Sequence, residues 1–192
     1  TTHFSVADKL GNIVSSTYTL NSTFGSGVVI ENTGIVMNNE MDDFSAAPGI
    51  PNQFGLLGAK ANEIIPNKRP LSSMTPTIVM KENDLFFTTG SPGGARIISA
   101  VLQSILNIID FQMNLEEATF AKRIHHQWQP DVLEIEYSIN DKLKKELSDM
   151  RYNIDVKDPL TCIQTIMFQD NKYFGYGDFR RPDAFASGNI ND

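Results

Sequence analysis

Hairpin-length turns recur from the first residues onward, and nothing else in the sequence limits the fold as strongly. Phe4, Ser5, Val6 and Ala7 read as a strand, and Ile13 to Leu20 as a second, rich in β-branched and aromatic residues. The Asp8-Lys9-Leu10-Gly11-Asn12 segment between them has the length and residue types of a hairpin turn. Val28-Val29-Ile30 and Ile35-Val36-Met37 repeat the pattern around Asn32-Thr33-Gly34. So do Thr77 to Met80 with Leu85 to Thr89, and Ile163 to Phe168 with Tyr173 to Tyr176. Helical segments fall between these hairpins. Apolar residues at 97, 101, 105 and 108 keep helical spacing, and Ile98, Leu102 and Ile109 widen the stripe. Asn114 caps a short helix opening Leu115-Glu116-Glu117-Ala118, Val132 to Tyr137 reads as a strand, and Asn140 to Met150 as a charged surface helix. Hairpins with interspersed helices predict an α+β fold, helices packed on antiparallel sheets, with the N-terminal strand inside the layered core.

That first strand starts with Thr1. A free N-terminal threonine carries a hydroxyl nucleophile and an α-amine able to act as its base. The amine has an ordinary pKa of roughly 7.7–8.0, so part of it is unprotonated near neutral pH. A trimmed start methionine or a cut at a domain boundary leaves the same first residue. The hairpin adds a second hydroxyl: if Ala7 pairs with Ile13, counting outward sets Thr1 opposite Thr19 on the same face.

The 192 residues fit a single domain, 1–192, with 41% hydrophobic and 20% charged content. With 16 Lys and Arg against 23 Asp and Glu, the net charge of −7 argues against a nucleic-acid or anionic-membrane surface. The lone Cys162 allows no internal disulfide and reads as a small core side chain. The most apolar stretch, Ile97 to Phe111, is too short and too polar for a membrane span. The chain opens with no basic-then-apolar leader, so if cleavage exposed Thr1, any leader belongs to the segment removed. The small, polar tail over 183–192 is expected to fray.

Four further segments bear on chemistry. Asn38-Asn39-Glu40-Met41-Asp42-Asp43 sets three carboxylates in four residues, either a solvated acidic turn or a site for a substrate ammonium. Its spacing does not match a calcium loop. Residues 43–70 hold four prolines and three glycines along with Ile50, Phe54, Leu56 and Leu57, which favours an ordered lid over a free linker. Ser72-Ser73 offers adjacent hydroxyls, common in turns and equally able to clamp a carboxylate. Gly90-Ser91-Pro92-Gly93-Gly94-Ala95-Arg96 runs from a strand into the buried helix. It suits an oxyanion hole, and equally a tight turn without function; it lacks the residues of a phosphate loop or dinucleotide fingerprint. His125-His126 reads as structural, since adjacent side chains in an extended segment point to opposite faces.

Taken in order, Thr1-Thr2-His3, Thr17 to Asn21, Asn38 to Phe44, Asn67 to Thr77, Gly90 to Arg96 and His125 to Trp128 resemble the small, catalytic subunit of γ-glutamyltranspeptidases over nearly the whole chain. The resemblance implies an N-terminal-nucleophile hydrolase with an αββα sandwich. It also implies a precursor cut before Thr1, a large-subunit partner chain, and a periplasmic or secreted location. By this likeness Thr1 is the nucleophile attacking a γ-glutamyl amide such as glutathione, and Thr19 orients it. Asn21, Glu40 and Asp43 hold the substrate amino group, and Ser72 and Ser73 its α-carboxylate. Gly93 and Gly94 supply the oxyanion hole, and no cofactor or metal is implied. An acylase with another acyl donor, or an inactive processed relative acting as a binding subunit, shares the same fold. At Phe54 many bacterial relatives have a lid tyrosine bonded to the asparagine matching Asn21, a bond that Phe54 cannot make.

Overall fold

The computed structural model describes residues 1–137 and 139–189. In chain order it forms β1 (Thr2–Ala7), β2 (Ile13–Tyr18), β3 (Thr77–Lys81), β4 (Asp84–Gly90), α1 (Arg96–Ile109) and α2 (Leu115–Phe120). There follow β5 (Ile124–His125), β6 (Leu133–Glu136), α3 (Asp141–Asp149), β7 (Ile154–Lys157), β8 (Gln164–Gln169) and β9 (Lys172–Gly177). The Asp8 carboxylate closes the first turn by accepting from the backbone N–H of Leu10 and Asn12 and from the Asn12 amide. Ala7 pairs with Ile13 and Thr2 with Tyr18, the register expected from the turn.

The central sheet has the order β3-β4-β8-β9, all antiparallel. One face receives α1 and α2 and the other receives the β1-β2 hairpin, giving three stacked layers. The stripe of α1 through Ile97, Ala100, Val101 and Ile108 packs with Phe87, Ile163 and Met167 of the sheet side. Burying such side chains stabilises each by roughly 1.5–3 kcal/mol. The α2 helix closes its N-terminus with a capping box between Asn114 and Glu117.

The seam between the two sheets is polar. His3 sits 5% exposed against Gly90, where an added Cβ would lie about 2.2 Å from the imidazole. Its Nδ1 is 2.6 Å from Thr17 Oγ1, and its Nε2 is 3.1 Å from Ser5 Oγ. The Ser15 hydroxyl donates to the carbonyls of Thr77 and Thr89. Burial holds the His3 pKa down to about 4, so the ring is neutral. The outer face of the hairpin carries Phe4, Val6, Val14 and Tyr18, all exposed. The chain exposes 12654 Å2, against roughly 9,100 Å2 for a globular monomer of its mass. A fourth layer on this outer face would complete an αββα sandwich.

Four sequence expectations need correction or refinement. The third sheet, β5-β6-β7, is not purely antiparallel: β6 and β7 run parallel, because α3 returns the chain to the starting end. The 28–37 hairpin reduces to one bridge, Val29 to Val36, with Val28, Val29, Ile30, Ile35 and Met37 exposed and no sheet beneath them. Glu40–Asp43 forms a 3-10 turn, a class of element not expected there. In the tail, Ala184 to Ala186 lie against Gly175 and Gly177 of β9, and residues 190–192 lie outside the described residues. Cys162 is buried and unpaired, and burial pushes its thiol pKa up. No helix among the described residues is long and apolar enough to cross a membrane.

Candidate active site

The β1-β2 register carries one residue past each strand end. It leaves Thr1 facing Thr19, and Thr1 Oγ1 donates to Thr19 Oγ1 at 3.0 Å. Thr19 Oγ1 also accepts the Asn21 N–H at 2.8 Å, so its position is set from both sides. Burial and the nearby Arg181 guanidinium lower the pKa of the Thr1 α-amine, while Glu40 opposes them. Arg181 also grips this end of the chain, donating to the Thr1 carbonyl and to Thr2 Oγ1, each at 3.1 Å. Sequence reading passed over Arg181, because 180 residues separate it from its partner.

Thr1, Thr19, Asn21, Asp43, Ser72, Ser73, Gly93 and Gly94 line one cavity of about 540 Å3, as does Phe54. The fold thus gathers distant segments around a single hydroxyl. Glu40 is not in the wall. It lies close to Asp43 and to the Thr1 amine, and its Oε1 is buried without a hydrogen-bond partner. Burial, then its proximity to Asp43, raises the Glu40 pKa to about 7. Asp42, in contrast, does line the cavity, and its Oδ1 accepts the N–H of Gln53. The three-acid motif signalled this region, but only the 3-10 turn decides which carboxylates face inward.

Asn21 adopts φ +72°, the left-handed region that asparagine tolerates, and its amide donates to the Asn39 carbonyl at 3.2 Å. Its Nδ2 therefore has a partner without any hydroxyl at position 54. Segment 43–70 is tied down by Asn62, which donates to the Asp43 carbonyl, and by Asn52, which donates to the Asp42 carbonyl. Phe54 itself is half exposed and lines the cavity. Between β4 and α1, Gly93 at φ +132° and Gly94 at φ +60° take conformations that favour glycine. Among the described residues, neither of their N–H groups donates to a protein acceptor. Arg96 then anchors the start of α1 through a bidentate pair with Glu134 at 2.5 and 2.7 Å.

The histidine pair holds structure. His125 lies 2.7 Å from Ser99 Oγ and 2.9 Å from Gln127 Oε1, whereas His126 pairs with Asp131 at 3.0 Å. No group of three or more metal-ligating side chains is found among the described residues.

A family model described as Gamma-glutamyltranspeptidase matches residues 1–188. The chain belongs to that family. The glutathione hydrolase proenzyme of Escherichia coli K12 is 50% identical over 189 residues, which are 98% of this chain and 33% of that protein. The corresponding proenzyme of a Pseudomonas species is 42% identical over 199 residues, covering 98% of this chain and 35% of its own length. The chain thus spans about a third of the length of these γ-glutamyltranspeptidase relatives. Among solved structures, a γ-glutamyltranspeptidase from Pseudomonas nitroreducens complexed with L-DON has a TM-score of 0.92 at 41% identity, covering 98% of this chain and all of that one. A threonine-to-alanine mutant of the Helicobacter pylori enzyme has a TM-score of 0.90 at 48% identity, covering 94% and 100%. The family fold is the N-terminal-nucleophile sandwich, to which this chain contributes the three layers described above.

Proposed function

We propose that this chain is the catalytic part of an enzyme that transfers γ-glutamyl groups from glutathione or related amides to water or to the amine of an amino acid or peptide. The observation that carries the reading is the Thr1 hydroxyl, bonded to Thr19 and facing a cavity with carboxylates, paired serines and free glycine N–H groups on its wall. The α-amine, its pKa lowered, takes the proton from Oγ1 as Oγ1 attacks the γ-carbonyl carbon. Gly93 and Gly94 N–H groups receive the developing oxyanion. The intermediate collapses, the C–N bond breaks, and the leaving amine takes the proton back from the α-ammonium. An ester on Thr1 remains until water or an acceptor amine attacks it by the same route. No step requires a metal or cofactor.

Asp43, backed by Glu40 and with Asn21 beside it, receives the substrate ammonium, and Ser72 and Ser73 receive its carboxylate. Segment 43–70, with Phe54 at its tip, acts as the lid. The remaining two thirds of the precursor supplies a large-subunit partner that covers the exposed outer face of the hairpin, after a cut before Thr1. A periplasmic or secreted location accords with the family. The direct test is turnover of γ-glutamyl-p-nitroanilide by the two-chain protein beside other acyl anilides: preference for the γ-glutamyl group supports the reading, and preference for another acyl group defeats it.

Asp43→Ala removes a charge-assisted contact worth roughly 1.5–3 kcal/mol, so kcat/KM should fall at least about tenfold. A donor lacking its α-amino group should suffer similarly with the unaltered enzyme. Equal rates with and without that amine would remove the ammonium site from consideration.

The pH dependence follows from Glu40. Its carboxyl ionises as pH rises through about 7, adding negative charge behind Asp43, and that charge is lost as pH falls. KM for the donor is expected to climb below about pH 7 and to lose this limb in Glu40→Gln. The rise of kcat with pH, set by the Thr1 amine, should survive that substitution. Identical KM profiles for the two proteins would show that Glu40 plays no part.

A further inference from the structure

The glycine loop is held from behind. Ser91 and Thr161 are buried, and their hydroxyls lie 2.8 Å apart. Both also reach the Pro92 carbonyl oxygen: Ser91 Oγ donates to it at 2.6 Å, and Thr161 Oγ1 donates to it at close range. Two hydroxyl protons serve three contacts, so at least one always rests on that carbonyl. A trans peptide is planar, with its C=O and N–H pointing in opposite directions. Holding the Pro92 carbonyl toward Thr161 therefore turns the Gly93 N–H away from Thr161, and Gly93 lines the cavity that Thr1 shares. Thr161 also limits movement of the next residue, since a Cβ added to Gly93 would lie 2.6 Å from Thr161 Oγ1.

Thr161 is itself anchored. Its carbonyl accepts from Arg123 Nη1 at 3.2 Å, and Arg123 pairs with the fully buried Asp178 at 3.1 Å. Asp178 in turn accepts the Ile163 N–H at 2.9 Å. A buried framework thus ends in one hydroxyl held against the Pro92–Gly93 peptide.

We infer that Thr161, with Ser91 beside it, is a positioning residue that sets the direction of the Gly93 N–H donor. The inference rests on the acyl-transfer reading above. Neither side chain lines the cavity; both act through the Pro92–Gly93 peptide.

Thr161→Val keeps the shape but sets a methyl against the carbonyl, whereas Thr161→Ser keeps the hydroxyl. Both are made in the full precursor and measured as the two-chain protein. Three quantities are read: kcat/KM for γ-glutamyl-p-nitroanilide, the Ki of glutamate, and the Ki of a γ-boronic-acid analogue of glutamate that forms a tetrahedral adduct. Thr161→Val should lower kcat/KM by about 10- to 100-fold, short of the loss of a whole oxyanion donor. Boronate affinity should fall in parallel while the glutamate Ki stays within about twofold, since only the tetrahedral oxygen uses the donor. Thr161→Ser should return kcat/KM to within about threefold of the unaltered enzyme.

A folded, processed Thr161→Val with unchanged kcat/KM overturns the inference, as does an equal loss of glutamate and boronate affinity. If Thr161→Val does not mature, Ser91→Ala decides: it should lose about three- to tenfold with the same boronate signature, and unaltered turnover overturns the inference. Failure of the unaltered two-chain protein on every γ-glutamyl donor overturns the underlying reading instead, and this inference with it.

Discussion

Thr1→Ala should reduce turnover to background, a loss of at least about 10^4-fold, because it removes the hydroxyl proposed above to form the covalent intermediate. The neighbouring geometry offers no replacement. Thr19 Oγ1 is engaged by the Asn21 N–H. The same substitution should leave the precursor uncut if, as proposed, maturation uses the same hydroxyl. Thr1→Ser retains both hydroxyl and amine, and should keep measurable activity. Mass spectrometry of the purified chains and a single-turnover assay decide the matter together. A Thr1→Ala protein that matures and turns over substrate would exclude Thr1 as nucleophile.

Gly93→Ala should lower kcat/KM by at least about 100-fold, the scale of a lost oxyanion donor. Two obstacles coincide there. The backbone sits at φ +132°, and the new Cβ would lie 2.6 Å from Thr161 Oγ1 and 3.0 Å from Thr161 Cβ. Gly94 provides the comparison within the same loop. At φ +60° it has nothing within 4 Å of an added Cβ, so Gly94→Ala carries only the left-handed strain of roughly 1–2 kcal/mol. The expected order is therefore a severe loss at 93 and a milder one at 94, with both proteins folded by circular dichroism. A reversal of that order would show that the N–H direction at Gly93 is not what the loop protects.

Local chemistry made much of this legible before the structure. The Asp8 turn set the first register, and that register delivered the Thr1–Thr19 contact. Asn114 and Asn140 marked helix starts because a capping side chain acts within three residues. What escaped was long-range. The two-residue strand β5 and the parallel β6-β7 pair depend on neighbours that no local period reports. The Arg181 grip on Thr1 and the Arg123–Asp178 support under Thr161 join residues far apart in sequence. Glu40 lies in the acidic cluster that the motif marked, while the 3-10 turn brings Asp42 and Asp43 rather than Glu40 into the cavity lining.

The hairpin at the start of the chain turns His3, Ser5, Ser15 and Thr17 inward and Phe4, Val6, Val14 and Tyr18 outward. Two greasy surfaces can glide past one another, and a strand that slips by two residues still shows the same face. A seam of matched donors and acceptors acts instead as an index. With His3 seated against Gly90 and bonded to Thr17, and Ser15 latched to the carbonyls of Thr77 and Thr89, a two-residue slip would strand each of these groups without its partner. The Thr1 hydroxyl lies one residue beyond the strand that this index fixes, so an error of register would carry it out of the cavity. Accuracy at the first residue is thus stored in polar matching several residues downstream, where it can be kept independently of whatever comes to cover the outer face.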